Sequence, residues 1–290
     1  MKTSTEIHSA ALIVGEEQAI EYIAKAGFDA WDFSMFRMCR YDFKEKKVLP
    51  TDHPLAGNEY LKYARRLRQI GLDNGIECNQ SHAPFPTYVS EIRALYKRAI
   101  ECTAEAGGKI CIIHPDNYKS AEENAEIYFE LLPFAKSYGV KIATENMWNW
   151  NNELNCAAPA ACSHHDDFVK HLDAVGDDYF TACLDIGHAE MEGLNTTAVD
   201  MIRAIGPRLG ALHVHDNDLH NDSHQIPFSM KIDFDAMIKA LKEVNYKGDM
   251  TLECDAYLHS FCKNDKSKTF EGIKNLANTA KRLVEMFEGK

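Results

Sequence analysis

The sequence lacks the features of several large protein classes. Its nine cysteines, spread from Cys39 to Cys262, form no C-x-x-C pair and do not make a disulfide framework in 290 residues. We therefore expect reduced, mostly buried thiols, as in cytosolic proteins. No stretch approaches 18 uninterrupted apolar residues, and the opening MKTSTEIHSA has no apolar core of signal-peptide length. These absences predict a cytoplasmic protein that does not cross or bind a membrane.

Positive charge is also scarce. Lysine and arginine together number 32, against 44 aspartates and glutamates, which gives a net charge of −12. Binding to a polyphosphate surface needs a basic footprint, so the charge argues against nucleic acid and anionic membranes as partners, a local basic patch excepted. The apolar content of 45% is enough for a large core.

Short β-rich runs alternate with longer segments of helical period along the whole sequence. The eight predicted strands are 4–9, 28–34, 76–82, 109–114, 140–145, 179–185, 210–215 and 248–253. Helical spacing is clearest over 88–106, 234–244 and 270–287. No G-x-G-x-x-G follows the first strand, which disfavours a doubly wound open sheet.

Eight β-then-α units in a chain of this length predict an α/β fold, the (β/α)8 TIM barrel. No low-complexity linker interrupts the pattern, so we expect a single domain over residues 1–290. The longest interruptions are 35–57 and 146–163, which follow the second and fifth predicted strands. Both should lie on the C-terminal rim of the barrel.

Acidic or imidazole side chains stand at the ends of six predicted strands. They are His82, His114, Glu145, Asp185, His213 and Glu253. In a parallel barrel the carboxyl ends of all strands meet at one face, so these side chains are expected to converge. Each one alone is readily explained as a rim histidine or a salt-bridge partner, but together they would be costly to desolvate without a cation. The pattern therefore predicts a divalent metal site.

Seven short motifs carry a family resemblance over essentially the whole chain. They are SHAPFP, IHPDN, ATEN, CLDIGHAE, HVHDND, DSH and TLECD. In this order and at barrel spacing, they resemble the xylose isomerase-like barrel superfamily. Within it, the chain resembles the sugar phosphate isomerase/epimerase group, which includes the ketose 3-epimerases, and more distantly endonuclease IV. The motifs are specific for the superfamily and not for a substrate.

The resemblance to the ketose 3-epimerases implies a single divalent metal, with manganese, zinc, cobalt and magnesium all compatible. Its four ligands would be Glu145, Asp185, His213 and Glu253. In the stretch ALHVHDNDLHNDSH at 211–224, the family pattern selects His213, and we expect His215 to point to the other face of the strand end. Four residues of this stretch are expected either to shape the loop or to orient the ligands, namely His215, Asp216, Asp218 and His220.

The endonuclease IV pattern implies further ligands, which in many isomerase-like relatives contact substrate hydroxyls instead. They are His82, His114, His188, Asp222 and His224. Two departures from the family stand out. Leu219 occupies the position of a substrate-binding arginine, and the segment QIPFSMKIDF after His224 lacks the usual glycines. Substrate contacts and loop geometry should therefore differ from those of the family.

The resemblance implies a metal-dependent isomerase or epimerase acting on a sugar or sugar phosphate. Such enzymes remove a proton beside a carbonyl, and a metal stabilises the resulting enediolate. Glu145 and Glu253 are the expected acid/base pair. Candidate contacts for the apolar face of a sugar are Phe85, Trp148 and Trp150. For a substrate phosphate they are Arg37 and Arg40, unless RMCRYDFKEKK is only a solvated basic face.

Two other functions fit the same residues. A lyase or dehydratase on a cyclic polyol, or a C-glycoside-cleaving enzyme, shares the enolate chemistry. An endonuclease IV-like phosphodiesterase would use several metals to activate water, which the complete ligand set favours and the acidic charge opposes. In all but the last case the expected partner is a small-molecule carbohydrate, and a homo-oligomer is compatible with the sequence.

Overall fold

A computed structural model describes residues 1–290. Eight strands follow one another along the chain, namely β1 (Thr3–Thr5), β2 (Ala30–Ser34), β3 (Glu77–His82), β4 (Ile110–Ile112), β5 (Lys141–Glu145), β6 (Phe180–Asp185), β7 (Leu209–His213) and β8 (Met250–Leu252). Strands β2 to β7 form one parallel sheet in chain order, and β1 pairs in parallel with β8. The bridges Glu6–Asp32 and Val214–Leu252 close the two remaining gaps. The predicted (β/α)8 barrel is confirmed.

A longer helix follows each strand. These helices are α1 (Glu16–Ala26), α2 (Tyr60–Asp73), α3 (Tyr96–Ala106), α4 (Ala121–Tyr138), α5 (His165–Val175), α6 (Ala198–Ile205), α7 (Phe234–Glu243) and α8 (Thr269–Glu288). Four further helices are His8–Val14, Ser90–Arg93, Ile186–Ala189 and Asp255–Cys262. Single 3-10 turns are Phe36–Met38, Pro54–Ala56, Gly206–Arg208 and Lys266–Lys268. None of the helices combines the length and apolar character needed to span a bilayer.

Buried side chains inside the barrel are arranged in layers. One layer contains one residue from each of four neighbouring strands, namely Ile112, Ala143, Cys183 and Ala211. Each lies two residues before His114, Glu145, Asp185 or His213, respectively. Because side chains alternate between the two faces of a strand, those four residues also point into the barrel, one layer nearer its C-terminal end. A packed apolar layer therefore forms the floor beneath the predicted site.

The structure corrects two element boundaries. The predicted strand 4–9 ends early, because β1 stops at Thr5 and a helix already begins at His8. The predicted helix 88–106 is divided into Ser90–Arg93 and α3, since the backbone N–H of Leu95 donates to Ile92 and tightens the turn between them. Both long interruptions lie after strand ends as predicted. Each carries an antiparallel hairpin, Arg40–Asp42 with Lys47–Leu49 and Asn149–Asn151 with Cys156–Ala158.

Candidate metal centre

Four side chains from the last four strands converge at the C-terminal end of the barrel. Glu145, Asp185 and His213 end β5, β6 and β7, and Glu253 directly follows β8. One oxygen or nitrogen atom from each lies within 4.8 Å of the corresponding atoms of the other three. The first three side chains are at most 1% exposed, whereas that of Glu253 is 13% exposed. The structure thus brings together the four residues predicted to hold one metal.

Both glutamates of this set approach the same nitrogen of His213. Its Nδ1 is 3.0 Å from Glu145 Oε1 and 3.4 Å from Glu253 Oε2. On the neighbouring strand, Asp185 Oδ1 accepts a 2.7 Å hydrogen bond from the backbone N–H of His188. Asp185 Oδ2 is buried and has no hydrogen-bond partner. A buried carboxylate oxygen without a donor is costly, so this atom is suited to binding a cation.

The electrostatics of the two glutamates differ. Burial alone raises the pKa of Glu145, but the charge of His213 and hydrogen bonds from His114, His213 and His82 hold it well below its ordinary value. Burial raises the pKa of Glu253, and the negative charges of Glu145 and Asp185 raise it further. The environment therefore favours ionisation of Glu145 and disfavours that of Glu253, although the charges of His213 and His224 partly offset the second effect. Opposed pKa shifts in neighbouring carboxyl groups are typical of acid/base pairs.

The donor set fits a divalent ion. Three carboxylates and one imidazole are compatible with manganese, zinc, cobalt or magnesium. A cation at this position would offset the mutual repulsion of the acids and would give Asp185 Oδ2 the partner it lacks. These are the same four residues that the family resemblance implied as metal ligands.

A second cluster shares Glu145. His82 Nε2 and His114 Nε2 lie 3.4 and 3.2 Å from Glu145 Oε2 and 2.8 Å from each other. His82 Nδ1 is 2.8 Å from the carbonyl oxygen of Ala83, which can only accept, so Nδ1 carries the proton and Nε2 keeps its lone pair when the ring is neutral. Burial, followed by repulsion from His82, lowers the pKa of His114 to about 4. These nitrogens therefore have the geometry of metal ligands.

A third cluster is built on Asp222. His188 Nε2 and His224 Nε2 lie 3.2 and 3.3 Å from Asp222 Oδ2. His188 Nδ1 faces the carbonyl oxygen of Asn146 at 2.9 Å, and His224 Nδ1 faces that of Glu253 at 3.0 Å. Both rings therefore direct Nε2 towards the carboxylate. The five residues expected as further ligands or substrate contacts thus all lie in this cluster or in the second one.

His215 completes the third cluster, and here the sequence-based prediction was wrong. The side chain is fully buried, with Nε2 3.1 Å from Asp185 Oδ1 and 3.5 Å from Asp222 Oδ1. Side chains two residues apart on a strand share a face, so His215 points the same way as His213 and not to the opposite side. Its ring also stacks on that of His224, with centroids 3.9 Å apart.

A cavity of about 420 Å³ opens above the clusters. Its aromatic lining consists of Phe36, Phe43, Phe85, Tyr88, Tyr118 and Trp148. The Phe85 ring stacks on His114 with centroids 5.2 Å apart, and Trp148 Nε1 lies 3.3 Å from Asp222 Oδ2. No lysine or arginine lines the cavity. Phe85 and Trp148 thus lie where the sequence predicted a sugar-binding surface.

Three predicted contacts lie outside this cavity. Trp150 packs against Trp148 and His220 on the far side of the loop. Arg37 forms a 3.0 Å ion pair with Glu16, and Arg40 is exposed; both line a neighbouring pocket. That pocket shares Phe36, Phe43 and Phe85 with the cavity, and a phosphate role for the two arginines stays a prediction.

Sequence reasoning missed a buried acid next to the site, Asp32. It lies in β2, is fully buried, and places Oδ2 3.4 Å from His213 Nε2. The signal was present in FDAWDFS, an acid near the end of a predicted strand, but Asp32 precedes the last strand residue by two positions. Period-two alternation would have identified it as inward-facing together with Ser34.

The loop after β7 takes its shape from Asp216 and not from glycine. The carboxylate of Asp216 accepts hydrogen bonds from four backbone N–H groups, those of Asn217, Met230, Lys231 and Ile232. Positive φ angles, which usually need glycine, are taken up by Leu219, His224 and Phe228. The expected loop-shaping role of Asp216 and the departure from the glycine pattern are both borne out.

Comparison with known proteins places this barrel in a family. The family described as "Xylose isomerase-like TIM barrel" matches residues 20–279. An uncharacterized protein of Methanocaldococcus jannaschii is 28% identical over 253 residues, which cover 81% of this chain and 78% of the relative.

Solved structures share the fold at lower sequence identity. A structure of the IOLI protein with a binding zinc atom has a TM-score of 0.71 at 20% identity and covers 99% of both chains. A structure of D-psicose 3-epimerase in the presence of D-fructose has a TM-score of 0.68 at 17% identity and covers 98% of this chain and 99% of its own. Since the family match extends over most of the sequence, the chain belongs to the xylose isomerase-like TIM barrel family.

Proposed function

We propose that this chain is a divalent-metal-dependent isomerase or epimerase of small carbohydrates. The observation that carries the proposal is the convergence of Glu145, Asp185, His213 and Glu253 at the floor of an aromatic-lined cavity. Several proteins that share the fold are named as sugar epimerases, among them D-psicose 3-epimerase, L-ribulose 3-epimerase and 3-keto-D-glucoside 4-epimerase. Their names support the choice of reaction class.

The lining of the cavity favours an uncharged substrate. Aromatic faces such as those of Phe85 and Trp148 suit the apolar face of a sugar, while the histidine and carboxylate groups below them suit its hydroxyls. A phosphate would instead need cationic or backbone N–H donors, and no lysine or arginine lines this space. The substrate we propose is therefore an unphosphorylated sugar or sugar derivative.

The proposed chemistry is removal and return of a proton on the carbon beside a carbonyl. When bound, a divalent ion supplies positive charge that lowers the energy of the developing enediolate. Glu145, whose pKa is held low, is suited to take the proton, and Glu253, whose pKa is raised, is suited to return one. Both carboxyl groups approach His213 Nδ1, at 3.0 and 3.4 Å, and so face the same proposed ion.

The test is deuterium incorporation from heavy water into a panel of ketoses, aldoses and their phosphates. We expect exchange at the carbon beside the carbonyl of at least one unphosphorylated sugar. Glu145→Gln and Glu253→Gln should each lower that exchange by at least about 100-fold, the usual scale of a lost acid/base group. Glu153→Gln, on an exposed part of the rim, is the control. Full activity in either active-site variant would refute the two-carboxylate mechanism.

A multi-metal phosphodiesterase is the second candidate, because the clusters on Glu145 and Asp222 could hold further ions. The absence of cations in the cavity and the net charge of −12 oppose it. A measurement of the metal content per chain would distinguish one bound ion from several. Nicking of a DNA duplex with an abasic site, without deuterium exchange in any sugar, would favour this candidate. Product analysis of the same sugar panel would reveal a lyase.

A further inference from the structure

Asp32 is a buried acid that faces the metal centre from the opposite half of the barrel. Its side chain is 1% exposed, and no lysine or arginine lies within salt-bridge distance. Oδ2 accepts a 2.9 Å hydrogen bond from Gln80 Nε2 and lies 3.4 Å from His213 Nε2, whereas Oδ1 has no partner. Gln80, itself buried, also lies 3.4 Å from the carbonyl oxygen of Leu212. Gln80 and His213 are therefore the only side chains that offset the cost of burying the Asp32 carboxylate.

The two nitrogens of His213 face acids on opposite sides. Nδ1 is directed at Glu145 and Glu253, and Nε2 is directed at Asp32. A carboxylate can only accept a hydrogen bond, so the neutral ring is stable beside Asp32 only with the proton on Nε2. The lone pair of Nδ1 is then free on the side where the other proposed ligands converge.

We propose that Asp32 is a positioning residue that prepares His213 for metal binding. The carboxylate holds the Nε2–H tautomer and the ring orientation, and its negative charge makes Nδ1 a stronger ligand; Gln80 holds the carboxylate in place. A carboxylate that fixes the outer nitrogen of a metal-binding histidine commonly changes metal affinity by 10- to 100-fold. The inference rests on the proposed function, because it takes the four-residue set as the metal site.

Packing alone does not require an acid at this position. An asparagine has nearly the same shape and its side-chain oxygen could accept from Gln80 equally well. Its amide group, however, would donate to His213 Nε2, which moves the ring proton to Nδ1 and blocks the ligand lone pair. Asp32→Asn therefore separates a packing role from a tautomer-setting role.

The test measures metal binding, not turnover. The probe is cobalt(II) added to chelator-treated protein, with its visible spectrum recorded and its affinity measured by competition with a chelator. The cobalt ion that the wild type binds and Glu253→Gln does not is the one assigned to the four-residue site. We expect Asp32→Asn to bind this cobalt ion at least about 10-fold more weakly and with an altered visible spectrum. The melting temperature of the metal-free variant should stay close to that of the wild type.

The matched control is Glu6→Gln. Glu6 directly follows β1, forms a bridge with Asp32 and is also buried, but its carboxylate hydrogen-bonds to Ser9 and not to His213. Burial raises the pKa of Glu6 to about 8, so the substitution changes little charge at neutral pH. We expect wild-type affinity for cobalt in this variant.

The outcomes separate the inference from the proposed function. If the wild type binds cobalt at the four-residue site and Asp32→Asn binds it within twofold, the inference fails and the proposed function stands. If the wild type binds no divalent metal there, both fail. Should Asp32→Asn not fold, Gln80→Met leaves the carboxylate but removes its support, and unchanged affinity in that variant would overturn the inference.

Discussion

Gly187 shows how closely the residues of the third cluster are packed. It lies in the short helix Ile186–Ala189, and a Cβ placed on it would be 1.9 Å from His215 Cε1. Its carbonyl oxygen also accepts a 2.8 Å hydrogen bond from Asn217 Nδ2, which fixes the backbone against the loop after β7. The position therefore excludes every side chain, because the imidazole that faces Asp185 and Asp222 occupies the space.

We expect Gly187→Ala to displace His215 from Asp185 and Asp222. Overpacking of a buried site typically costs about 1–3 kcal/mol, so the free energy of unfolding should fall by that amount. If the third cluster holds an ion, its affinity for that ion should fall as well, because one of the candidate nitrogens moves. Urea denaturation and metal analysis measure the two effects. Gly57→Ala, where the nearest atom to a Cβ is 3.6 Å away, is the control and should change neither.

For individual residues, the sequence predicted which types gather at the strand ends, but it did not predict the direction of every side chain. His213 followed from the family pattern, and the structure places it with the other three predicted ligands. His215 and Asp32 were misjudged or missed because only the residue at the very end of each strand was considered. Strand alternation assigns both to the barrel interior, so this part of the error could have been avoided.

The loop between β7 and α7 is the element on which the third cluster depends. It carries Asp222 and His224, and the backbone of Asp216 pairs with that of Gln225 at its base. The buried Asp216 carboxylate then ties the start of the loop to its end through residues 230–232. The two cluster residues are therefore held by a carboxylate that touches neither of them.

We expect Asp216→Ala to release this loop. The backbone N–H groups of Met230 and Ile232 would lose their acceptor, whereas that of Lys231 keeps the carbonyl oxygen of Asn217. A donor without a partner costs about 1–3 kcal/mol, so a loss of at least about 2 kcal/mol is expected. Hydrogen–deuterium exchange should rise across 217–232 and remain unchanged in β2 to β5. In Asp218→Ala, a more exposed position of the same loop, the loss should stay below about 1 kcal/mol. Equal exchange in both variants would contradict this role of Asp216.

Elements were predictable from local pattern to different degrees. The strands followed from short apolar runs ending in polar residues, and α7 and α8 matched the predicted 234–244 and 270–287 to within a residue at each end. The break before α3 and the two rim hairpins could not be read from periodicity, because tight turns and long-range pairing determine them. The positive φ of His224 was equally hidden, since no glycine marks it in the sequence.

Across the whole molecule, the proposed metal would connect four consecutive strands. Its ligands come from β5, β6, β7 and the residue after β8, which are neighbours around the barrel. Between β7 and β8 the structure has only one isolated bridge, Val214–Leu252. An ion held by His213 and Glu253 would link β7 to the end of β8, where the backbone pairing is weakest. It would also offset the repulsion between the buried acids.

Removal of the metal should therefore lower the stability of the entire barrel. An ion present at 100 times its dissociation constant stabilises the folded state by about 2.7 kcal/mol. For a chain of this size, that corresponds to a decrease of roughly 5–10 °C in melting temperature after treatment with a chelator. Calorimetry before and after chelation, and again after the ion is restored, measures the effect. In Glu253→Gln the decrease should be much smaller, because the site is already incomplete. An equal decrease in that variant would show that the stabilising ion binds elsewhere, at the His82 or Asp222 cluster.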